Sequence, residues 1–375
     1  MCRNGVAQRV SVKLLLYEHI TGGCPDIALP PSLLREGRAM VEAVAADLAR
    51  IAGVNITLLC DHRLKLNAPG CQLAKVDSAA SALEMFDRLA AIADLTLVIA
   101  PEADGVLLQR CRRVARCGGR LIGPAAALVE LCSDKQLTAE HLAAAGVQIP
   151  RGVAIQTGQE LPVDFSYPAV IKPRDGCGSQ GVKLIASAAE AAAFGVAPWP
   201  ARLEQFCPGV AVSVAVLCGP RELRALTPCA QRLTSDGQFQ YLGGALPLRP
   251  ELAGRAVELA LRAVRSLPEP RGYVGVDLVL GEGVAEAGLQ HKGDSPIFVA
   301  QKLGQSPTSQ SPGDFVIEIN PRIITSYVGL RAACRGNLAE AMLRIAAGEP
   351  TELSFRDEPL QFDADGTVYH FQEKP

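Results

Sequence analysis

The sequence predicts an α/β region with a parallel sheet, followed by a larger α+β region. Three observations lead to this prediction. Short apolar strands alternate with helical patterns up to about residue 122, which is typical of parallel strands joined by crossover helices. A glycine-rich loop then separates two β-leaning runs. Two later strands, residues 271–280 and 315–320, each carry an acidic side chain in an apolar run.

Composition bounds the size of the protein and excludes some classes of partner. A chain of 375 residues is long enough for roughly two to three domains with sizeable cores. The formal net charge is −2 and no region carries a basic excess, so a nucleic-acid surface is not expected. Aromatic residues make up only 5% of the chain, which also argues against base-stacking platforms.

Cysteine spacing and hydropathy indicate a reducing, aqueous compartment. The 12 cysteines are scattered without a C-x-x-C pair, and the closest two, Cys111 and Cys117, fall on one predicted helix. This spacing predicts neither a zinc site nor a disulfide framework. No apolar stretch reaches the roughly 18 residues that a membrane span needs, and Met1 to Leu16 has no leader-peptide pattern. A cytoplasmic location is therefore expected.

The loop after the first predicted strand is a candidate substrate contact. Strands are predicted at residues 10–17, 54–60, 95–100 and 121–122, and helices at 32–51, 81–93 and 104–116. Ligands of parallel sheets bind beyond the carboxyl ends of the strands. Glu18, Gly22 and Gly23 leave the first strand at such an end, so they are candidate substrate contacts. A structural turn with an exposed glutamate explains the same loop equally well.

A lysine stands in the first turn of the next predicted helix, residues 133–146. Ser133 and Gln136 have the spacing of a capping box, which places Lys135 next to the helix N-terminus. A cation there opposes the helix macrodipole, at a cost of up to about 1 kcal/mol, unless an anion such as phosphate lies nearby. A solvated surface lysine is the alternative.

A second lysine precedes the glycine-rich loop. Residues 169–171 are apolar and end at Lys172, glycines follow at 176, 178 and 181, and a β-leaning run covers 182–186. Glycines let backbone N–H groups approach an anion, which predicts a phosphate cradle. A dinucleotide fingerprint must open a helix, and a Walker A loop needs Gly-Lys-Ser or Gly-Lys-Thr, so both fit poorly. A hairpin lying over phosphates, as in protein kinases, and a plain hairpin turn are both left open.

Residues from about 150 to 206 have the order strand, hairpin, helix, strand, and they predict a small lid with 204–206 as its hinge. Ser187 and Glu190 have capping-box spacing at the start of the lid helix. Beyond the lid, the sequence predicts a strand at 210–217, hairpin strands at 223–246 and an amphipathic helix at 251–267.

Two strong strands predict a metal site. In the first strand, Asp277 points to one face, and Val276, Leu278 and Leu280 point to the other. In the second strand, Glu318 and Asn320 share one face, and Ile317 and Ile319 share the other. An unpaired buried carboxylate is costly, and Mg²⁺ takes one or two carboxylates together with substrate phosphates. A buried ion pair between Glu318 and Arg322 is the alternative. Residues 281–313 are predicted to form a polar insertion, and no chemistry is assigned to it. Helices are predicted at 326–335 and 338–347. The tail from residue 351 has no recognisable motif.

Together these features resemble the ATP-grasp superfamily. The motifs that carry the resemblance, in chain order, are Ser-Asp-Lys135, Val-Ile-Lys172-Pro, the 174–182 loop, Leu-Glu204-Gln205-Phe206, Gly-Val-Asp277-Leu-Val and Glu318-Ile-Asn320-Pro-Arg322. The resemblance implies a Rossmann-like pre-grasp α/β domain at residues 1–125, an ATP-grasp domain at 126–350 and a C-terminal tail at 351–375. The two α+β subdomains of the ATP-grasp domain would grip ATP between them.

The resemblance also implies a role for each motif. Lys135 and Lys172 would hold phosphates, beneath a loop that includes Gly176, Gly178, Ser179 and Gly181. The backbone of Glu204, Gln205 and Phe206 would meet adenine, and Asp277, Glu318 and Asn320 would bind Mg²⁺ or Mn²⁺. Arg322 would contact the transferring phosphate and act with Lys172 in catalysis. Many relatives carry a ribose-binding glutamate where this chain has Ala211, so ribose recognition is unassigned.

The implied activity is that of an ATP-dependent carboxylate–amine ligase acting through an acyl phosphate. Three stretches are most similar to tyramine–glutamate ligases of methanofuran biosynthesis and their bacterial relatives: residues 14–23, 241–244 and 271–277. This similarity implies glutamate and tyramine, or tyrosine, as substrates. A peptide-type ligase, either D-alanine–D-alanine-like or glutamate-adding, and a non-catalytic nucleotide sensor are the alternatives. The expected partners are small-molecule carboxylates and amines, without nucleic acid or membrane, and a homodimer is left open.

Overall fold

The computed structural model describes residues 11–24, 31–281 and 313–370, and its strands form three sheets. A parallel sheet lies in the N-terminal part, a small antiparallel sheet forms the predicted lid, and a large sheet occupies the centre of the C-terminal part. This architecture confirms the predicted succession of an α/β region and an α+β region. The predicted insertion at 281–313 falls almost entirely outside the described residues.

The N-terminal sheet has the strand order β3-β2-β1-β4, with all pairs parallel. Its elements are β1 (Val12–Glu18), α1 (His19–Gly22), α2 (Pro31–Leu48), β2 (Val54–Asp61), β3 (Cys71–Val76), α3 (Ala79–Ile92), β4 (Leu95–Ile99) and α4 (Val106–Arg116). Leu14 and Leu16 pack on one face of β1, whereas Leu15 and Tyr17 pack on the other. Both faces are therefore covered, which explains the continuous apolar run of β1.

Two helices, α5 (Ala126–Cys132) and α6 (Lys135–Ala144), connect this region to the lid. The predicted capping box of α6 is wrong. Asp134 is the N-cap, because its carboxylate accepts hydrogen bonds from the backbone N–H groups of Gln136 and Leu137. The Ser133 hydroxyl instead donates to the carbonyl of Val129 in the preceding helix. Lys135 nevertheless opens the helix, as expected.

The lid sheet has the order β5-β8-β6-β7 and its own small core. It consists of β5 (Gly152–Ile155), β6 (Ala169–Pro173), β7 (Lys183–Ile185), α7 (Ala188–Phe194) and β8 (Ala201–Gln205). Strands β6 and β7 pair antiparallel, so the glycine-rich loop between them is a hairpin connection. Ser187 caps α7 through the N–H of Glu190, but the Glu190 carboxylate accepts from Ala186 rather than from the cap residue.

The central sheet has the order β14-β13-β9-β11-β12-β15-β16, and β10 pairs with β9. Its strands are β9 (Val210–Cys218), β10 (Leu223–Ala225), β11 (Cys229–Leu233), β12 (Tyr241–Leu246), β13 (Gly272–Leu280), β14 (Phe315–Asn320), β15 (Leu360–Asp363) and β16 (Val368–His370). The helices of this region are α8 (Pro250–Ser266), α9 (Tyr327–Ala333) and α10 (Leu338–Ala346). The segment that the sequence left as an unread tail thus supplies two strands of the sheet.

The N-terminal and C-terminal parts share one hydrophobic core and a buried polar contact. The core cluster that includes Leu14 and Leu16 continues through α2 to residues of α9 and α10. At its edge, Asp47 of α2 is 2% exposed and accepts hydrogen bonds from the Tyr327 hydroxyl and the Arg331 guanidinium. This packing fixes the position of the parallel sheet relative to the central sheet.

Candidate active site

The lid sheet and the central sheet face each other across a cavity that collects most of the predicted site residues. The residues of this set that line it are Lys135, Lys172, Gly176, Gly178, Ser179, Glu204, Gln205, Phe206, Asp277, Glu318, Asn320 and Arg322. They come from six separate motifs. The fold therefore brings together side chains that are up to 187 positions apart, between Lys135 and Arg322.

The three predicted metal ligands lie on two neighbouring strands. Asp277 of β13 pairs directly with Glu318 of β14, and Asn320 follows two positions later. Between Asp277 and Leu278 the register shifts, so Ile317 bulges out of the ladder. The predicted alternation is therefore wrong at Ile317, which lines the cavity, whereas Ile319 is buried in the core.

Within the described chain, the hydrogen-bond partners of Asp277 are neutral. Its two carboxylate oxygens accept from the side-chain amides of Gln231 and Asn320, each at 2.9 Å. Burial and the nearby Glu318 carboxylate raise the pKa of Asp277 to about 7. Two acidic side chains and an amide oxygen at this spacing form a donor set of the kind that Mg²⁺ prefers. A divalent cation would also relieve the repulsion between the two carboxylates, so these residues fit the implied metal.

Lys135 links the start of α6 to this acidic pair. Its ammonium lies 3.0 Å from the Glu318 carboxylate and donates to the carbonyl of Gly176 at 2.6 Å. Burial disfavours the charged form of Lys135, but the Glu318 carboxylate outweighs burial and the pKa of Lys135 is raised. The anion that the first-turn lysine was expected to need is, within the protein, Glu318. A bound phosphate would replace Glu318 as the partner of Lys135, and a bound metal would replace Lys135 as the partner of Glu318.

Lys172 is buried in a second ion pair. Its ammonium lies 2.5 Å from the Glu204 carboxylate and donates to the carbonyl of the bulged Ile317 at 3.1 Å. The other oxygen of Glu204 accepts from the guanidinium of Arg202, whose side chain is 3% exposed. Glu204 thus forms ion pairs with both Lys172 and Arg202, and it orients Lys172 towards β14. This places the lid lysine against the strand that carries the predicted metal ligands Glu318 and Asn320.

The glycine-rich loop closes one side of the cavity. Gly178 and Ser179 both have left-handed backbone conformations, with φ of 62° and 58°, and the Ser179 hydroxyl donates to the carbonyl of Phe239. Gly181 also has a positive φ, but it does not line the cavity. A Cβ at Gly181 would lie 2.9 Å from the ring of Pro173, so packing within the loop explains this glycine.

The predicted adenine contact differs from the expectation in one respect. The backbone N–H groups of Gln205 and Phe206 donate to the carbonyls of Arg151 and Pro168, so they are already used inside the lid. The Phe206 ring lies almost parallel to the Phe239 ring, with their centroids 6.1 Å apart. Both rings line the cavity and give that end a flat apolar surface suited to a purine.

Arg322 joins the cavity to the carboxyl edge of the parallel sheet. Its guanidinium lies 2.9 Å from Glu102, which follows β4 and is 4% exposed. Glu102 was not predicted as a site residue. It nevertheless lies just beyond the carboxyl end of a predicted parallel strand, where ligands of parallel sheets bind. The predicted alternative pair between Glu318 and Arg322 is not the ion pair that forms. Glu318 pairs with Lys135, and Arg322 pairs with Glu102.

The predicted substrate contacts Glu18, Gly22 and Gly23 do not line the cavity. Glu18 is 2% exposed, and its carboxylate caps α1 by accepting from the backbone of Ile20 and from the backbone and hydroxyl of Thr21. A Cβ on Gly22 would lie 2.7 Å from the carbonyl of Leu59, and one on Gly23 would lie 2.5 Å from the carbonyl of His19. These residues shape a buried turn instead of a binding surface.

Glu36 and Gln231 had no signal in the sequence, and Tyr241 was noted only within the 241–244 stretch that carries the family resemblance. Glu36 of α2, Gln231 of β11 and Tyr241 of β12 line the same space as the predicted motifs. Glu36 comes from the N-terminal region and Gln231 from a hairpin strand without a motif. Glu36 reaches the site because α2 packs against α9 and α10, whereas Gln231 and Tyr241 are placed there by neighbouring strands of the central sheet. Among the described helices, none is long and apolar enough to cross a membrane.

Comparisons with known proteins agree with this geometry. Residues 132–326 match the family model of the ATP-grasp domain, and residues 54–129 match that of the pre ATP-grasp 3 domain. A tyramine–L-glutamate ligase from Methanocaldococcus fervens is 23% identical over 270 residues, which covers 72% of this chain and 71% of that protein.

Two solved structures are similar over most of their length. A crystal structure from Archaeoglobus fulgidus, described as an ATP-grasp superfamily protein, is 21% identical with a TM-score of 0.66, covering 94% of this chain and 92% of that one. An N5-carboxyaminoimidazole ribonucleotide synthetase, crystallised as its ADP complex, is 16% identical with a TM-score of 0.65, covering 94% and 81%. These likenesses establish the fold.

Proposed function

This chain belongs to the ATP-grasp family, and we propose that it is an ATP-dependent carboxylate–amine ligase that joins L-glutamate to tyramine or a related amine. The observation that carries the proposal is the meeting of two buried lysines, a glycine-rich hairpin and two acid-bearing strands at one cavity. The choice of substrates rests on the similarity to the tyramine–L-glutamate ligase, which is distant at 23% identity. A role in methanofuran-type biosynthesis belongs to the same proposal.

The cavity residues suit phosphoryl transfer to a carboxylate. In the proposed reaction, a carboxylate oxygen attacks the γ-phosphorus of ATP, the bond to the ADP oxygen breaks, and an acyl phosphate forms. Lys135, Lys172 and Arg322 supply positive charge for the phosphate oxygens, and such preorganised charge is the main source of catalysis in this type of reaction. Mg²⁺ held by Asp277, Glu318 and Asn320 would neutralise further charge on the triphosphate.

The second step needs no protein nucleophile. The neutral amine attacks the acyl carbon, the C–O bond to phosphate breaks, inorganic phosphate leaves, and the amide nitrogen loses a proton. The products are ADP, phosphate and the amide. The buried position of Lys172, which is 4% exposed, is consistent with a site that keeps water from the acyl phosphate when the lid is in place.

The test is a product assay on the full chain. Incubation with ATP, Mg²⁺, L-glutamate and tyramine should release ADP and phosphate only when both substrates are present, and mass spectrometry should detect glutamyl-tyramine. Glu318→Gln, which keeps the shape of the side chain, should greatly reduce turnover while the melting temperature is kept. AMP release, or no turnover with glutamate and any amine, would refute the proposal. Nucleotide binding without turnover would favour a sensor.

A further inference from the structure

The charged side chains at the cavity are paired with each other. In the described parts of the chain, three ion pairs account for its three cations: Lys135 with Glu318, Lys172 with Glu204, and Arg322 with Glu102. Two cavity carboxylates are left without a salt bridge among the described residues, Asp277 and Glu36. Asp277 belongs to the metal-binding set. Glu36 has no place in the phosphoryl-transfer machinery, so its charge needs another explanation.

Glu36 is held in place by a hydrogen bond to the opposite domain. The Thr325 hydroxyl donates to its carboxylate at 3.1 Å. Arg35 and Arg322 act on it only at a longer range, and burial raises the pKa of Glu36. Glu36 is half-buried. A carboxylate that is partly removed from water without a cationic partner is costly, so a carboxylate kept at a cavity wall is well suited to bind a cation from solution.

The surroundings of Glu36 are polar. Ser326, which follows Thr325 in the chain, also lines the cavity and is 3% exposed, and its hydroxyl has no hydrogen-bond partner in the described parts of the chain. Tyr241 lines the cavity within electrostatic range of Glu36. The cavity wall therefore includes a carboxylate without a salt bridge and a hydroxyl without a hydrogen-bond partner, both among the described residues.

We propose that Glu36 binds the ammonium group of an amino-acid carboxylate donor, and so selects amino acids over simple carboxylic acids. The inference rests on the proposed ligase function and adds a specificity-determining residue from the N-terminal domain. The bound ammonium must be a spectator, because an amine held as its ammonium ion has no lone pair with which to attack the acyl phosphate. For L-glutamate this group is the α-ammonium, while the reacting carboxylate faces Arg322 and the lysines.

The experiment compares two donors that differ only in this ammonium, L-glutamate and glutarate. Hydroxylamine serves as the acceptor, because it traps any acyl phosphate as a hydroxamate and makes the result independent of amine specificity. The wild-type chain should prefer glutamate in kcat/KM, and Glu36→Gln should lose about 30-fold or more for glutamate but little for glutarate, mainly through KM. The amide oxygen that this substitution introduces can still accept from Thr325, so the domain contact is kept.

Glu42→Gln is the matched control. Glu42 lies on the same helix, pairs with Arg38 at 2.8 Å and does not line the cavity. Glu42→Gln therefore removes one negative charge, as Glu36→Gln does, but leaves the cavity unchanged. This variant should keep the wild-type preference for glutamate. Equal losses for glutamate and glutarate in Glu36→Gln, or an unchanged kcat/KM for glutamate in that variant, would overturn the inference. If the wild-type chain uses neither donor, the proposed function itself fails and the inference fails with it.

Discussion

Two aspartates, one in each half of the molecule, have opposite electrostatic environments; Asp61 is buried and Asp277 is half-buried. Asp61 ends β2 of the parallel sheet, and its carboxylate accepts from the backbone and the guanidinium of Arg63, at distances down to 2.5 Å. Asp277 lies within β13 and, in the described parts of the chain, accepts from two side-chain amides. Hydrogen bonds from Arg63 lower the pKa of Asp61 to about 2, whereas burial and Glu318 raise that of Asp277 to about 7.

The comparison shows that burial alone does not identify a cation site. Cys24, Asp61 and His62 form a compact group whose potential ligand atoms lie within 4.8 Å of one another. Arg63 already supplies the positive charge that Asp61 needs, which makes this pair a structural feature. Asp277 has no such partner among the described residues, so a bound cation would stabilise its charged form. The type of partner, neutral or charged, separates the two roles.

The largest effect is expected when the charge of Asp277 is removed. Asp277→Asn should reduce turnover by about 10²–10³-fold, because the metal-binding set loses one of its two carboxylates. The melting temperature should stay the same or rise, since the substitution removes a half-buried charge that lies next to the Glu318 carboxylate. ADP release and thermal unfolding measure the two effects. Full activity in this variant would show that Asp277 is not a metal ligand.

A smaller effect is expected for the cation opposite Glu318. Lys135→Met should raise the KM for ATP by about 10–100-fold, because the variant loses one phosphate-binding charge and leaves Glu318 without its 3.0 Å partner. Lys183→Met is the control, since Lys183 is an exposed lysine of the lid that does not line the cavity. Steady-state kinetics at varied ATP concentration test the prediction. Equal KM values in the two variants would contradict it.

The same chemical change at the other aspartate should affect stability and leave catalysis intact. Asp61→Asn removes the ion pair with Arg63, whose side chain is 58% exposed and therefore well screened by solvent. We expect the melting temperature to fall by a few degrees at most, and kcat/KM to stay within about twofold of the wild-type value. A large loss of activity with an intact fold would mean that the two aspartates are not distinct in role.

The smallest effect is the pH dependence of stability that Asp61 contributes. Its pKa is lowered from 3.8 in the unfolded chain to about 2 in the fold, so the stabilising contribution is present above the unfolded pKa and is lost as the pH falls towards 2. The difference in unfolding free energy between the wild-type chain and Asp61→Asn should therefore shrink between about pH 4 and pH 2. Denaturant unfolding across this range measures the difference. A constant difference would contradict the assigned ion pair.

Strand faces and the glycine-rich hairpin were predicted well from local sequence, whereas the N-cap of α6 and the features set by contacts between domains were not. Strand parity correctly placed Asp277 opposite its apolar neighbours, and the loop between β6 and β7 was recognised as a hairpin by its glycines and by the β-leaning run after it. The family resemblance then joined these separate motifs into one site. A resemblance of this kind adds spatial information that strand and turn patterns do not contain.

The missed residues share a physical reason. Glu36 and Glu102 reach the site only because the two domains pack together, and their partners, Thr325 and Arg322, lie more than 200 positions away in the sequence. The bulge at Ile317 depends on how β14 meets β13, which no local pattern records. Glu18 was misplaced because its position at a strand end is equally suited to a helix cap and to a ligand contact.

Strand β15 has a consequence for the order in which the protein is built on the ribosome. It covers the free edge of β12, and its Phe362, which is fully buried, packs against Gly244 of β12 and Gly329 of α9. Residues 360–363 are synthesised long after β12, so this edge stays open while the chain between them emerges. Nascent chains halted before residue 360 should therefore recruit chaperones, and those extended past β16 should release them.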